Sequence, residues 1–127
     1  MRIEHIAIWV TNLEEMRKFY VTYFNAFAGE KYHNPAKEFT SYFLSFTDGA
    51  RLEIMHTPSI NKSNYTEEHT GLIHFAMSIG SKAQVDLLTE KLREDGFTIA
   101  GEPRTTGDGY YESVVLDPEG NQIEITI

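Results

Sequence analysis

The sequence predicts an α+β fold built from two copies of a βαβββ module. Three observations point to it. Strand-like and helix-like runs follow one another in the same order twice. A histidine sits early in each of two similar apolar strands, in "EHIAIWV" and "LIHFAMSI". A glutamate sits in each of two similar hairpin strands, "RLEIM" and "QIEITI", four positions beyond a turn glycine.

Residues 3–10, "IEHIAIWV", are short, apolar and β-branched, and read as a strand. In "TNLEEMRKFYVTYFNAF", Thr11 or Asn12 caps a helix whose apolar stripe is Met16, Phe19, Tyr20, Tyr23 and Phe27. Glu14 and Glu15 favour the positive end of its dipole, and Gly29 is expected to end it. A less defined strand is expected around "EKYH". "FTSYFLSFTDGARLEIMH" then reads as a hairpin turning at Asp48-Gly49. After the polar connector "TPSINKSNYTEEHTG" the order recurs: the strand "LIHFAMSI", then the helix "SKAQVDLLTEKLRED". Ser81 caps that helix, Val85, Leu88 and Leu92 form its buried stripe, and Gly96 stops it. "FTIAGEP" reads as a strand, and "YYESVVLDPEGNQIEITI" as a hairpin around Asp117-Pro118-Glu119-Gly120. The expected organisation is one domain over 1–127, with repeats 1–57 and 71–127 joined by a connector at 58–70.

Composition narrows the function classes. Hydrophobic residues make up 41% of the 127 and charged residues 24%, ordinary for a globular protein. A net charge of −8 with scattered basic residues argues against nucleic acid or an anionic membrane surface as partner. The absence of cysteine removes disulfides, thiolate metal sites and cysteine nucleophiles together. The N-terminus is too short and too charged for a signal peptide, and no apolar run is long enough to span a bilayer. A cytoplasmic protein acting on a small molecule is the expectation.

Alternation along each strand sorts the side chains. Ile6, Ile8 and Val10 oppose His5, Ala7 and Trp9; Leu52 and Ile54 oppose Arg51, Glu53 and Met55. Ile73, Phe75, Met77 and Ile79 oppose His74, Ala76 and Ser78; Ile123, Ile125 and Ile127 oppose Gln122, Glu124 and Thr126. A lone strand histidine is usually a satisfied core or rim residue. Here two histidines and two glutamates recur at a period of roughly seventy residues, on the faces turned away from the helices. Two modules related by a pseudo-twofold axis would converge those four side chains. Two imidazoles with two carboxylates suit Zn²⁺, Ni²⁺, Co²⁺, Fe²⁺ or Mn²⁺. Trp9, Tyr110 and Tyr111 are expected to line the substrate cup, with Arg51 beside Glu53. His33, His56 and His69 have no counterpart in the repeat and read as surface or loop residues. "TTGDGYY" reads as a glycine-bearing connection.

Through "HIAIWVTNLEEMRKFY", "GLIHFAMSI" and "DPEGNQIEI", nearly the whole chain resembles the vicinal oxygen chelate superfamily. That superfamily includes glyoxalase I, methylmalonyl-CoA epimerase, extradiol dioxygenases, fosfomycin-resistance enzymes and bleomycin-binding proteins. The D-P-x-G turn followed by a glutamate is the most specific of the three motifs. The resemblance implies a glyoxalase-like fold, an incompletely closed barrel around a divalent metal. It implies His5, Glu53, His74 and Glu124 as ligands, the set of bacterial glyoxalase I, with Ni, Co or Zn as metal. It implies lyase chemistry on a hemithioacetal of a 2-oxoaldehyde, with Glu124 as base, Glu53 as the more constant ligand, and a homodimer whose chains share sites. Glutathione-dependent members carry an arginine near the place of Trp9, and an indole cannot make that bidentate contact, so the thiol stays open. An epimerase, a thiol transferase, a dioxygenase and a non-catalytic binding or resistance protein are the alternative readings.

Overall fold

A computed structural model describes residues 1–61 and 70–127. The chain divides into two compact units, Met1–Asn64 and Tyr65–Ile127. Most of the expected connector falls outside the described residues, as does His69.

The first unit runs β1 (His5–Trp9), α1 (Leu13–Phe24), β2 (Phe27–Ala28), β3 (Tyr32–Asn34), a single 3-10 turn at Pro35–Lys37, β4 (Phe39–Ser45) and β5 (Arg51–His56). Its sheet has the order β1-β5-β4-β2, with β3 also on β4. β1 and β5 are parallel; the other pairs are antiparallel. A parallel neighbour needs a crossover, and the rest of the module supplies it. Asn12 caps α1 by accepting from the Glu15 N–H. Met16, Phe19, Tyr20 and Phe24 bury one stripe of α1, and the helix packs against β2, β4 and β5, whose Leu44, Leu52 and Ile54 are buried.

Two expectations are corrected here. Asn25, in the left-handed region at φ 52°, ends α1, not Gly29. The chain therefore leaves the helix early, and Phe27 becomes an edge-strand residue 74% exposed rather than part of the helical stripe. Gly29 donates its N–H to the Phe43 carbonyl instead; the strand expected around "EKYH" forms as β3 on β4, and β2 is an additional two-residue piece on β4 where helix was expected.

The second unit runs β6 (His74–Ser78), α2 (Lys82–Glu94), β7 (Ile99–Thr105), β8 (Tyr111–Leu116) and β9 (Gln122–Thr126), in sheet order β6-β9-β8-β7. Again the first and last strands are parallel. Ser81 caps α2, Gly96 follows it at φ 90°, and Val85 and Leu92 are buried against a sheet carrying Val115, Ile123 and Ile125. Thr89 is fully buried on that stripe, whereas the expected Leu88 is only half-buried. Pro103 sits in β7, an edge strand with an irregular register, where its missing N–H costs no ladder bond. The β8–β9 turn is built by Asp117, whose Oδ1 accepts from the N–H groups of Glu119 and Asn121 and whose Oδ2 accepts from the Asn121 amide.

With β2 and β3 counted together as one interrupted strand on β4, both units are βαβββ modules with the same strand order, and neither sheet closes on itself. Among the described residues, no helix is long and apolar enough to cross a membrane.

Candidate metal and substrate site

The two sheets present their histidine and glutamate in the same register. On β1, His5 pairs with Arg51 of β5 and Ala7 with Glu53. On β6, His74 pairs with Gln122 of β9 and Ala76 with Glu124. Each glutamate therefore lies one same-face step beyond the residue opposite its histidine, on the face turned away from the helix. Within the strands the predicted faces hold for most residues: Leu52, Ile54, Ile123 and Ile125 are buried and Ile6, Ile8, Phe75 and Met77 half-buried, while His5, Glu53, His74 and Glu124 remain accessible. At the ends they do not: Ile73, before β6, is 51% exposed and Ile127, after β9, 42%, because neither lies within its strand, and Thr126 on the open face is buried.

In the second unit the pair has closed. His74 Nε2 stands 3.5 Å from Glu124 Oε2, with side chains 39% and 18% exposed. Two donors at about 2.0–2.2 Å from one ion stand roughly 3–3.5 Å apart, so this pair fits a shared cation. Val114 faces Glu124 across the β8–β9 ladder, and Glu112 lies one same-face step away, opposite Thr126. Burial, then the charge and hydrogen bond of Glu112, hold the Glu124 carboxyl above the ordinary carboxylate range; Asp108 adds to the rise and His74 opposes it. Glu112 is itself buried, with Arg104 Nη2 3.6 Å from its Oε1. The alternation from Glu124 back through the turn would have placed Glu112 on this face.

In the first unit His5 is turned to Glu4: Nδ1 stands 2.6 Å from Glu4 Oε2. Its ring meets Phe43 edge-on at 5.4 Å. Arg51 bonds Glu4 Oε1 through Nε at 2.8 Å and Nη2 at 2.6 Å, and its guanidinium lies 4.1 Å over the Phe43 ring. The Glu53 carboxylate makes no side-chain hydrogen bond or ion pair among the described residues. Among the described residues, neither unit alone gathers three His, Cys, Asp or Glu side chains into a metal-holding group.

The expected substrate residues divide. Trp9, 50% exposed, shares the His5 face and meets Phe39 edge-on at 6.1 Å; Tyr32 also meets Phe39, tilted, at 6.0 Å. Tyr110, 57% exposed, belongs to the turn before β8, where Thr106 and Tyr110 exchange hydrogen bonds. Tyr111 does not share the Glu124 face. It points to α2, donating to Asp86 Oδ1 at 2.7 Å under the Lys82 ammonium. One position separates it from Glu112, and in a strand that reverses the face. His56, expected at the surface, is half-buried at the end of β5 with Nδ1 2.9 Å from the Val10 carbonyl, whereas His33 is exposed on β3.

Residues 2–125 match the Glyoxalase/Bleomycin resistance protein/Dioxygenase superfamily, and the chain belongs to that family. An uncharacterized protein of Bacillus subtilis, YqjT, is 28% identical over 97% of this chain and 96% of its own. Glyoxalase I from Zea mays superposes with TM-score 0.81 at 25% identity, over 98% of this chain and 44% of the maize chain. This chain thus spans less than half of that enzyme. A glyoxalase family protein from Enterococcus faecalis shares the fold at TM-score 0.79 and 24% identity, covering 99% of this chain and 97% of that one.

Proposed function

We propose that the chain is a metal-dependent lyase of the glyoxalase I type, converting the hemithioacetal of a 2-oxoaldehyde such as methylglyoxal into a 2-hydroxyacyl thioester. The observation that carries this reading is the repeated register, His5 with Glu53 and His74 with Glu124, on matching strands of two modules. His5, Glu53, His74 and Glu124 would hold one divalent cation, Ni²⁺, Co²⁺ or Zn²⁺ by donor type, with Fe²⁺ and Mn²⁺ also compatible. When bound, the cation supplies Lewis-acid stabilisation of the oxyanion that forms as the proton leaves carbon.

Glu124 is the base in this reading. It takes the proton from C1 of the hemithioacetal and returns it to C2. Its partial burial favours the protonated form midway through that exchange. Glu53, without such neighbours in its unit, serves as the constant ligand. Trp9 and Phe39 provide an aromatic wall for the substrate's apolar part. Arg51 is committed to Glu4, which leaves it ill placed to hold a glutathione carboxylate and supports a less anionic thiol. We further propose one domain over 1–127, its repeats 1–57 and 71–127, acting in the cytoplasm as a homodimer in which each site draws His5 and Glu53 from one chain and His74 and Glu124 from the other. The aromatic row Trp9–Phe39–Tyr32 also supports a second reading, a binding protein that holds a small aromatic ligand without turnover.

Two measurements test the enzyme reading. Protein purified without an affinity tag should contain about one divalent metal per four-residue set, and methylglyoxal with a panel of small thiols should turn over on the nickel-, cobalt- or zinc-loaded form. Glu124→Gln should lower kcat by roughly a hundredfold or more. Persistent absence of metal after reconstitution, or full turnover in both Glu53→Gln and Glu124→Gln, refutes it. Binding of ligand without solvent exchange at its carbon, followed by NMR, would select the binding protein.

A further inference from the structure

The two histidines occupy equivalent places but are held differently. Next to His74 the position corresponding to Glu4 is Ile73, and the position corresponding to Arg51 is Gln122. Only the first module, among the described residues, therefore has an acid at the position just before its histidine and an arginine opposite the histidine bonded to that acid. Glu4 precedes β1, so the pleat does not force its side chain to the opposite face, and it reaches His5 from the adjacent position.

We propose that Glu4, itself held by Arg51, is a positioning residue that fixes the His5 ring with Nδ1–H bonded inward and Nε2 free to ligate. This rests on the metal reading above. A neutral imidazole carries one N–H, and its position follows the stronger acceptor. Glu4 Oε2, 2.6 Å from Nδ1, is that acceptor. Arg51 uses the other oxygen, Oε1, so the carboxylate serves both partners without competition. A backbone bond from the Arg51 N–H to the Glu4 carbonyl, 3.0 Å, fixes the acid's main chain to β5. Phe43 confines the assembly, carrying the guanidinium at 4.1 Å and the His5 ring edge at 5.4 Å. Side chains this exposed, 42% for His5 and 51% for Glu4, contribute little to stability; the consequence is orientation. A carboxylate behind a ligating histidine raises its basicity and pre-aims its lone pair, and its loss costs roughly 10–100-fold in metal affinity.

The full chain, metal-free and labelled with ¹⁵N at histidine, gives the first readout through long-range ¹H–¹⁵N correlation. His5 should be the Nδ1–H tautomer. Glu4→Ala should shift it toward Nε2–H, Glu4→Gln should restore it because the amide oxygen still accepts, and His74 should not change. The second readout is Co²⁺ titration by absorbance. Glu4→Ala should weaken binding by roughly 10–100-fold and Glu4→Gln should recover most of the loss. If wild type binds Co²⁺ and Glu4→Ala matches it in both tautomer and affinity, the positioning role is wrong. If wild type binds no Co²⁺, Ni²⁺ or Zn²⁺, the metal reading fails and takes this role with it, whatever the tautomer.

Discussion

Glu53 and Glu124 share one register in their sheets, yet their surroundings differ because one β-sheet neighbour differs. Ser41 pairs with Met55 in the first unit where Glu112 pairs with Thr126 in the second. A second carboxylate and partial burial thus act on Glu124, and neither is visible in the "xIEIxI" pattern that marks it. The candidate ligands themselves were legible, since period-two alternation is a local property. Glu4 lies outside the strand, where no alternation assigns it a face, and Glu112 lies on the Glu124 face by alternation but has no counterpart in the first module, where Ser41 stands. A surface acid away from the site offers a pH test. The Lys31 ammonium, with Arg17 and Tyr42, holds the Glu14 carboxyl below its ordinary range against a desolvation that opposes it. The folded state thus favours the ionised form, so this stabilisation is present above the ordinary carboxylate range and is lost as pH falls through the lowered value. Glu14→Gln should lower stability at neutral pH by about 1 kcal/mol or less, these groups being half exposed. Urea unfolding at stepped pH should show the difference between wild type and variant closing in acid.

The helices and hairpins followed from caps, apolar stripes and turn glycines, all written within a few residues of where they act. What escaped was the edge: β2 and β3 exist because β4 offers them an unpaired side, and their own residues barely specify strands. The α2 stripe carries a similar lesson. Thr89, not Leu88, is the fully buried member; its hydroxyl donates to the Val85 carbonyl at 2.7 Å and meets the buried Ser113 hydroxyl at 2.7 Å. With the Thr89 proton used on Val85, Ser113 is the donor of that second bond. Thr89→Val keeps the shape but strands a buried hydroxyl, and should cost about 1–3 kcal/mol by chemical unfolding. Thr89→Val with Ser113→Ala removes both polar groups and should cost less than the single change; an additive loss would show that the pair is not coupled.

At the scale of the molecule, each βαβββ module carries half of a donor set, and the proposed function requires that the halves serve one ion. A ligand that binds only the folded state raises its melting temperature with concentration. If one ion takes donors from both modules, His5→Ala and His74→Ala should each abolish most of the metal-induced rise, and the double variant should do no more. Two independent half-sites would give two partial, additive losses instead, which calorimetry with and without Zn²⁺ separates. The doubled module and most of the helix-facing residues of its strands can be read from the amino-acid order alone, and so can the pairing of His5 with Glu53 and His74 with Glu124 on which the proposed metal site rests. This is so because helix and strand periods, caps and turns are set by residues near one another in the chain. The contacts of Glu4 and Arg51 with His5, of Glu112 with Glu124, and of the Tyr111 hydroxyl with Asp86 on α2 appear only in the folded chain. Those contacts depend on the register between strands and helices far apart in the chain, where a shift of one residue reverses every face.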